Sequence, residues 1–405
     1  MSADVTATAA DVGRSSRLPA WWIGLTIVLV AANLRPAVVG VAPVLAQITA
    51  SEGLSGTAAG VLTALPVLCF GLLAPAAPRL ARRFGIERTV LGALVLLCVS
   101  FAVRSAGSVV LLFVGTLLAG SAIAIGNVLL PALIKRDFSH RTGVMTGLYT
   151  MAISAGGALA AGITVPVATA AGLDWRGALA IWGLFALLAL VFWLPRVRGG
   201  NGIGRTGGVR ITGLWRDAVA WQVTAFMGLQ SLGYYAVSAW IPAVFAGRGF
   251  DPEAAGWLLS LGSFVGIAGS MAAPMLATRF RSQRLVAAGL TAVSALGLLG
   301  VIAVPGAEVV SMALLGFGQG AAIGLALTLV ALRSPDAPHA SQLSGMAQSV
   351  GYVVAAMGPF LVGAVHDATG SWTVPLLLLL VLFVPQGIAG VLAGRERWVG
   401  SATAP

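Results

Sequence analysis

Apolar segments of about 20 residues recur along the whole chain, separated by short polar or Gly/Pro-containing connections. This is the length an α-helix needs to cross a hydrocarbon core of ~30 Å. The core holds no water to satisfy peptide groups, so a chain that enters it must do so as helices or as a closed barrel. The residue-by-residue alternation of barrel strands is missing, which leaves helices. Composition agrees: 58% of the residues are hydrophobic and 9% charged, where a soluble domain carries roughly a quarter charged residues.

The apolar periods predict an all-α membrane protein with twelve transmembrane helices. These lie near 20–48, 57–78, 89–106, 108–134, 142–168, 177–195, 218–246, 254–277, 285–304, 308–332, 341–365 and 372–393. Residues 1–19 are rich in Ala, Ser and Thr and lack the basic start and short apolar run of a secretion signal, so they read as a cytoplasmic tail. The expected organisation is this tail, a six-helix bundle over 20–195, a linker over 196–217, a second six-helix bundle over 218–394 and a tail over 395–405. The linker is Gly- and Arg-rich with no apolar period. Cys69 and Cys98 fall inside spans, where they read as small apolar fillers.

A net charge of +11 would suit nucleic acid if the charges were clustered on one domain. Instead they sort by side. If the spans alternate, Lys135 and nineteen arginines, among them Arg79, Arg82, Arg83, Arg136, Arg196 and Arg281, fall at one face, and only Arg104, Arg176 and Arg248 at the other. That is the positive-inside bias, and it predicts a multi-pass protein of the cell's inner (plasma) membrane with both termini cytoplasmic. Nucleic acid is excluded as a partner, whereas anionic lipid head groups fit runs such as Arg82-Arg83.

The two halves repeat. Shifted by 196 residues, "GLSGTAAGVL" (53–62) overlies "GFDPEAAGWL" (249–258) and "APRLARRF" (77–84) overlies "APMLATRF" (273–280). A shift of 198–200 carries the match on to "GSAIAIG" (120–126) against "GAAIGLA" (320–326). Two pseudo-symmetric six-helix bundles, with a solute site near mid-bilayer between them, resemble the build of major facilitator transporters. The segments "NLRPA" in the first span, "GNVLLPALIKRDF" (126–138), "MTGLYTMAISAGGAL" (145–159) and "FMGLQSLGYYAVSAWIP" (226–242) are similar to those of the cyanate permease family, which also contains the 2-nitroimidazole transporter. The resemblance implies a secondary transporter working by rocker-switch alternating access. One position departs from the general facilitator signature: in "PRLARRFGIER" Arg82 stands where the signature has an aspartate.

The charge inventory within the spans singles out one residue. All thirteen acidic residues map to tails, loops or helix ends, yet Arg35 lies thirteen residues beyond Trp22 in the first span. At 1.5 Å per residue that is roughly 20 Å, past the middle of the core. An intramembrane charge without an acidic partner is a candidate for function. It either caps carbonyls of a neighbouring helix or binds a solute anion, for which a planar guanidinium fork suits carboxylate, nitro and small linear anions. Pro36 removes the hydrogen bond that the Ala32 carbonyl would accept, and with Gly40 and Pro43 it makes the first span bendable at this depth.

Other polar groups at matching depth complete a candidate substrate site of Arg35, Asn33, Tyr149, Gln230, Tyr234, Tyr235, Gln348 and Tyr352. Pro36, Asn127, Trp240 and Gln319 are candidates for gating or cavity lining. The four tyrosines of the chain all fall in the fifth, seventh and eleventh spans, away from the helix ends where interfacial anchors cluster. Asn33 faces either the solute or a neighbouring helix, and each glutamine either lines the cavity or bonds between helices. His140, His339 and His366 lie in loops, so no histidine relay is expected. Nothing resembles a set of metal ligands, a cofactor motif or catalytic groups gathered at one depth, and an enzyme is not expected. The expected partners are a small anionic or polar solute such as cyanate or a nitroaromatic heterocycle, lipid, and protons as a candidate second solute, for a monomer. The competing reading is an efflux transporter for drugs or toxic aromatic compounds. Exporters of lipophilic cations, however, display an acidic residue in the cavity, and here the candidate charge is positive.

Overall fold

The computed structural model describes residues 18–138, 141–198 and 213–400. Most of the predicted N-terminal tail and linker, the end of the C-terminal tail and His140 lie outside the described residues. Within them the chain is helical, with no strand. The helices are α1 (Ala20–Ala32), α2 (Pro36–Val39), α3 (Leu45–Glu52), α4 (Gly56–Leu73), α5 (Ala76–Phe84), α6 (Ile86–Arg104), α7 (Val109–Asp137), α8 (Thr142–Ala170), α9 (Trp175–Arg198), α10 (Ala218–Ala246), α11 (Pro252–Ala277), α12 (Arg284–Ala303), α13 (Glu308–Leu332), α14 (Ala337–Thr369) and α15 (Thr373–Ala393).

Eleven spans are long and apolar enough to cross a membrane, counting α1 to α3 as one. The twelfth, α10, has 29 residues and the length to cross. Its interior carries Gln230, Ser231, Tyr234, Tyr235 and Ser238, which lower its apolar character where the helix faces protein. The third, sixth, ninth and twelfth spans (α6, α9, α12 and α15) instead expose aliphatic side chains such as Val95, Leu184, Leu296 and Val381, as helices against lipid must.

Two expected helices are divided. The second span ends at Leu73 and is followed by α5, a short amphipathic helix that buries Ala77 and exposes Arg79, Arg82 and Arg83. The first span breaks at residues 33–35, resumes as α2, and passes through a 3₁₀ turn at Ala42–Val44 before α3. Pro36 and Pro43 lack N–H groups, so the carbonyls of Ala32 and Val39 lose their α-ladder donors there. At the break the N–H groups of Asn33 and Leu34 turn to the carbonyls of Val30 and Ala31, three residues back.

The repeat survives as matched packing. At the Arg-rich end of the first half, Arg136 reaches Glu87 at 2.6 Å, and Asp137 pairs with Arg196. A shift of 196 puts Gln283 in the place of Glu87, and there buried Arg333 donates to the Gln283 amide oxygen. Across the seam between the halves α4 packs on α14 and α8 on α11. Glycines permit this: a Cβ on Gly60 would lie 2.7 Å from the Pro359 carbonyl, and one on Gly256 2.7 Å from the Ala161 carbonyl.

Candidate solute-binding site

The break in the first span delivers Arg35 to the seam. Asn33 explains part of the geometry. Its backbone N–H has turned to Val30, so its side-chain amide replaces that donor at the Leu29 carbonyl, at 2.9 Å, and extends toward the Phe185 carbonyl at 3.4 Å. The carbonyl of Ala32, freed by Pro36, is approached by Gly156 of α8, where no Cβ would fit. The neighbouring Gly157 lies under the aliphatic stem of Arg35. Broken helix and glycine pair therefore fix the base of this arginine from two sides.

Its head lies among aromatic rings. Arg35 Nη1 donates to the Tyr235 hydroxyl at 2.8 Å, and its Cζ lies 5.5 Å from the ring centroids of both Tyr234 and Tyr235, within cation–π range. Tyr235 stands edge-on to Tyr234 at 5.2 Å and to Tyr352 at 6.3 Å. Phe70 of α4 closes the cluster, 5.7 Å from Tyr352 and 6.3 Å from Tyr235. Tyr149 and Tyr352 both pack against the buried core that also takes in Tyr235. Among the described residues no carboxylate forms an ion pair with Arg35. The site is thus a cation held by phenols and π-faces, neutral partners that leave its charge uncompensated.

Arg35 and the four tyrosines come together as the sequence suggested, and the amides do not. Asn33 is buried and bonded to backbone at the break, because the tight turn leaves the Leu29 carbonyl open. Gln230, also buried, gives its amide to Ser231 at 2.6 Å and Met227 at 3.1 Å on its own helix. Gln348 donates to Ser344 one turn back at 2.8 Å. Gln319 is buried in α13 with its Nε2 unpartnered among the described residues, and Asn127 is half-buried in α7. Trp240 is 4% exposed and donates to the Pro359 carbonyl at 2.8 Å, so it ties α10 to α14. Pro36 is buried at the start of α2.

Two residues of this region escaped the sequence reading. Phe70 sits in an apolar run with nothing to mark it. Arg104 was assigned to the sparsely charged face, yet it is 1% exposed, and its Nη1 donates to the Ala37 carbonyl at 2.8 Å, directly beyond the break. Its Nε and Nη2 have no partner among the described residues. A signal existed: the three arginines that violate the charge bias are all held by the protein, Arg176 by Glu52 and Arg248 by the Val301 carbonyl.

A crevice of about 840 Å³ lies behind this site, lined by apolar side chains of α1, α8, α9 and α11, including Phe185, Phe264 and Met271. Ala32 and Gly156 form part of its wall, so helix break and crevice share one layer of backbone.

The sequence model of the Major Facilitator Superfamily matches residues 22–359 and 249–397. The chain is 43% identical to the uncharacterized transporter YycB of Bacillus subtilis (strain 168), over 95% of this chain and 96% of that one. It is 41% identical to the 2-nitroimidazole transporter of Escherichia coli (strain K12), over 92% and 95%, and 31% identical to the cyanate transport protein CynX of the same organism, over 89% and 97%. In fold it is similar to a bacterial homolog of the human lysosomal transporter Spinster, with a TM-score of 0.78 at 15% identity over 94% of this chain and 99% of that one. These matches and the twelve-span architecture show that the chain is a multi-pass membrane transporter of the major facilitator superfamily, akin to the 2-nitroimidazole and cyanate transporters.

Proposed function

We propose that the protein moves a small anionic or strongly polar planar solute, of the cyanate or nitroheterocycle type, by rocking its halves around the Arg35 cluster. The observation that carries this reading is the bond from Arg35 to Tyr235, a mid-membrane guanidinium whose partner is a neutral phenol belonging to the other half. A solute anion is a stronger acceptor than a phenol. On arrival it takes Nη1 from Tyr235, compensates the buried charge, and releases one link between the halves. The rings of Tyr234, Tyr235, Tyr352 and Phe70 offer flat apolar surfaces to a conjugated solute. The names of the two relatives, a transporter of 2-nitroimidazole and one of cyanate, fit such a site.

The Arg-rich end faces the cytoplasm in this reading, as the positive-inside bias sets it. The Arg35 cluster contains no carboxylate or histidine to carry a proton. We therefore assign transport to facilitated diffusion or to movement of a proton with a weakly acidic solute. Counterflow of radiolabelled cyanate and 2-nitroimidazole in proteoliposomes tests the reading. Exchange by the wild type that disappears in Arg35→Ala supports it. Exchange of a solute with undiminished affinity in Arg35→Ala contradicts it.

A further inference from the structure

The N-terminus of α4 is capped from two places. Its own Ser55 accepts from the Ala58 N–H at 3.1 Å. The N–H groups of Gly56 and Thr57 are instead taken by Asp367, which belongs to α14 in the other half. Asp367 Oδ1 accepts from the Gly56 N–H at 2.7 Å, while Oδ2 accepts from the Thr57 N–H at 2.6 Å and from the Thr57 hydroxyl at 2.7 Å. One carboxylate thus satisfies two of the donors that a helix start leaves orphaned and faces its positive dipole end.

Backbone approach is built around this contact. A Cβ on Gly56 would lie 2.5 Å from Asp367 Oδ1 and 3.0 Å from the Gly363 carbonyl, and one on Gly363 would press on Gly56 and on the Trp240 ring. Ordinary capping needs no second half, as the repeat shows. Ser55 overlies Asp251 at a shift of 196, and Asp251 caps its own helix α11 at Glu253. The same shift puts Ala171 where the seam of α8 and α11 would need an Asp367. Among the described residues, the cross-half carboxylate cap is found at the seam of α4 and α14 and not at that of α8 and α11.

We infer that Asp367 is a positioning residue of the transport cycle: it latches the outer end of α4 to α14 and must let go each time the site opens outward. The outer placement rests on the orientation proposed above. Strength fits the task. The contact is solvent-exposed, so the donors it frees pass to water, and breaking it costs no more than an ordinary cap. A latch of that size shifts a conformational equilibrium several-fold without freezing it.

The test reads opening directly and needs no substrate. Thr63 lies seven residues beyond Gly56, hence on the same face of α4 toward α14, and is 8% exposed. In a background with Cys69→Ala and Cys98→Ala, Thr63→Cys is alkylated in intact cells with a membrane-impermeant maleimide, and Ala106→Cys in the same background reports the orientation. Adding Asp367→Asn is expected to raise the alkylation rate of Thr63→Cys about fivefold, and adding Thr57→Val, which removes one of the three bonds, by a smaller factor. Native Cys69, 4% exposed, stays unreactive in a separate Asp367→Asn strain. An unchanged rate at position 63 overturns the inference. So does a rise at Cys69 alongside it, because Asp367 would then hold the fold rather than the gate. If Asp367→Asn fails to reach the membrane, Thr57→Val decides alone: a raised rate supports the latch and the parental rate refutes it. Labelling of Ala106→Cys from inside only would refute the orientation, and with it the outer placement of the latch.

Discussion

Arg35 and Tyr235 are 200 residues apart in the chain and meet at 2.8 Å, one from each half. If the solute displaces this phenol, removing the hydroxyl alone frees the guanidinium. Tyr235→Phe should therefore bind the anion at least as tightly as the wild type. Tyr235→Ala also loses the ring beneath the cation and should bind about five- to thirtyfold more weakly. Isothermal titration separates the two variants. Equal weakening in both would make the hydroxyl a ligand of the solute and not its competitor.

The shape of the break depends on Gly156. Any side chain there meets the Ala32 carbonyl, which is backbone and cannot swing aside. Gly156→Ala should destabilise the protein by about 1–3 kcal/mol, as overpacking does, and should weaken solute binding because Arg35 is carried on the displaced segment. Gly147→Ala, nine residues earlier in the same helix where a Cβ meets nothing, should leave both properties unchanged. Thermal unfolding in detergent checks the pair.

Period and charge made the architecture legible in the sequence, since both are imposed by the bilayer rather than by contacts between particular side chains. A bend in the first span was open to reading from Pro36, Gly40 and Pro43, but the full break was not, because Pro66, Pro131, Pro166, Pro242, Pro274, Pro359 and Pro385 sit inside continuous helices. The lone cation and the tyrosines stood out by type and depth. Asn33, Gln230 and Gln348 could not be placed in this way. An amide at the right depth has its own helix within reach, and whether Leu29, Met227 or Ser344 captures it depends on rotamers that periodicity does not encode. Phe70 is one aromatic among many apolar residues until α14 is packed against it. Arg104 was counted at the sparsely charged face from its place near the end of the third span, and charge counting does not encode that the fold buries it against the break.

Arg104 gives a prediction of its own. Replacing it with Met keeps the bulk, removes a buried charge and leaves the Ala37 carbonyl unpartnered. Losing that bond costs about 1–3 kcal/mol, and relief of the uncompensated charge offsets a comparable amount. The melting temperature should move little while solute affinity falls several-fold, because the segment that carries Arg35 loses its tether. A large drop in melting temperature with unchanged affinity of the folded fraction would assign Arg104 to the fold alone.

Coupling is testable without a mutant. With no titratable acid or histidine in the Arg35 cluster, a pH gradient across proteoliposomes should not drive accumulation of a solute that lacks an acidic proton. Weakly acidic solutes should follow the gradient as their protonated fraction does. Uphill accumulation of a non-acidic solute on a pH jump would require a proton site on the protein.

The most direct measurement is a thermal-shift screen of cyanate, 2-nitroimidazole and small carboxylates against wild type and Arg35→Ala, since a ligand that binds only the folded state raises the melting temperature. At least one of these solutes should stabilise the wild type. Affinity should fall about 30-fold or more in Arg35→Ala, with Arg35→Lys between the two because it keeps the charge and loses the fork. A solute that stabilises wild type and Arg35→Ala equally, and is still transported by the variant, would contradict the assignment of anion recognition to Arg35.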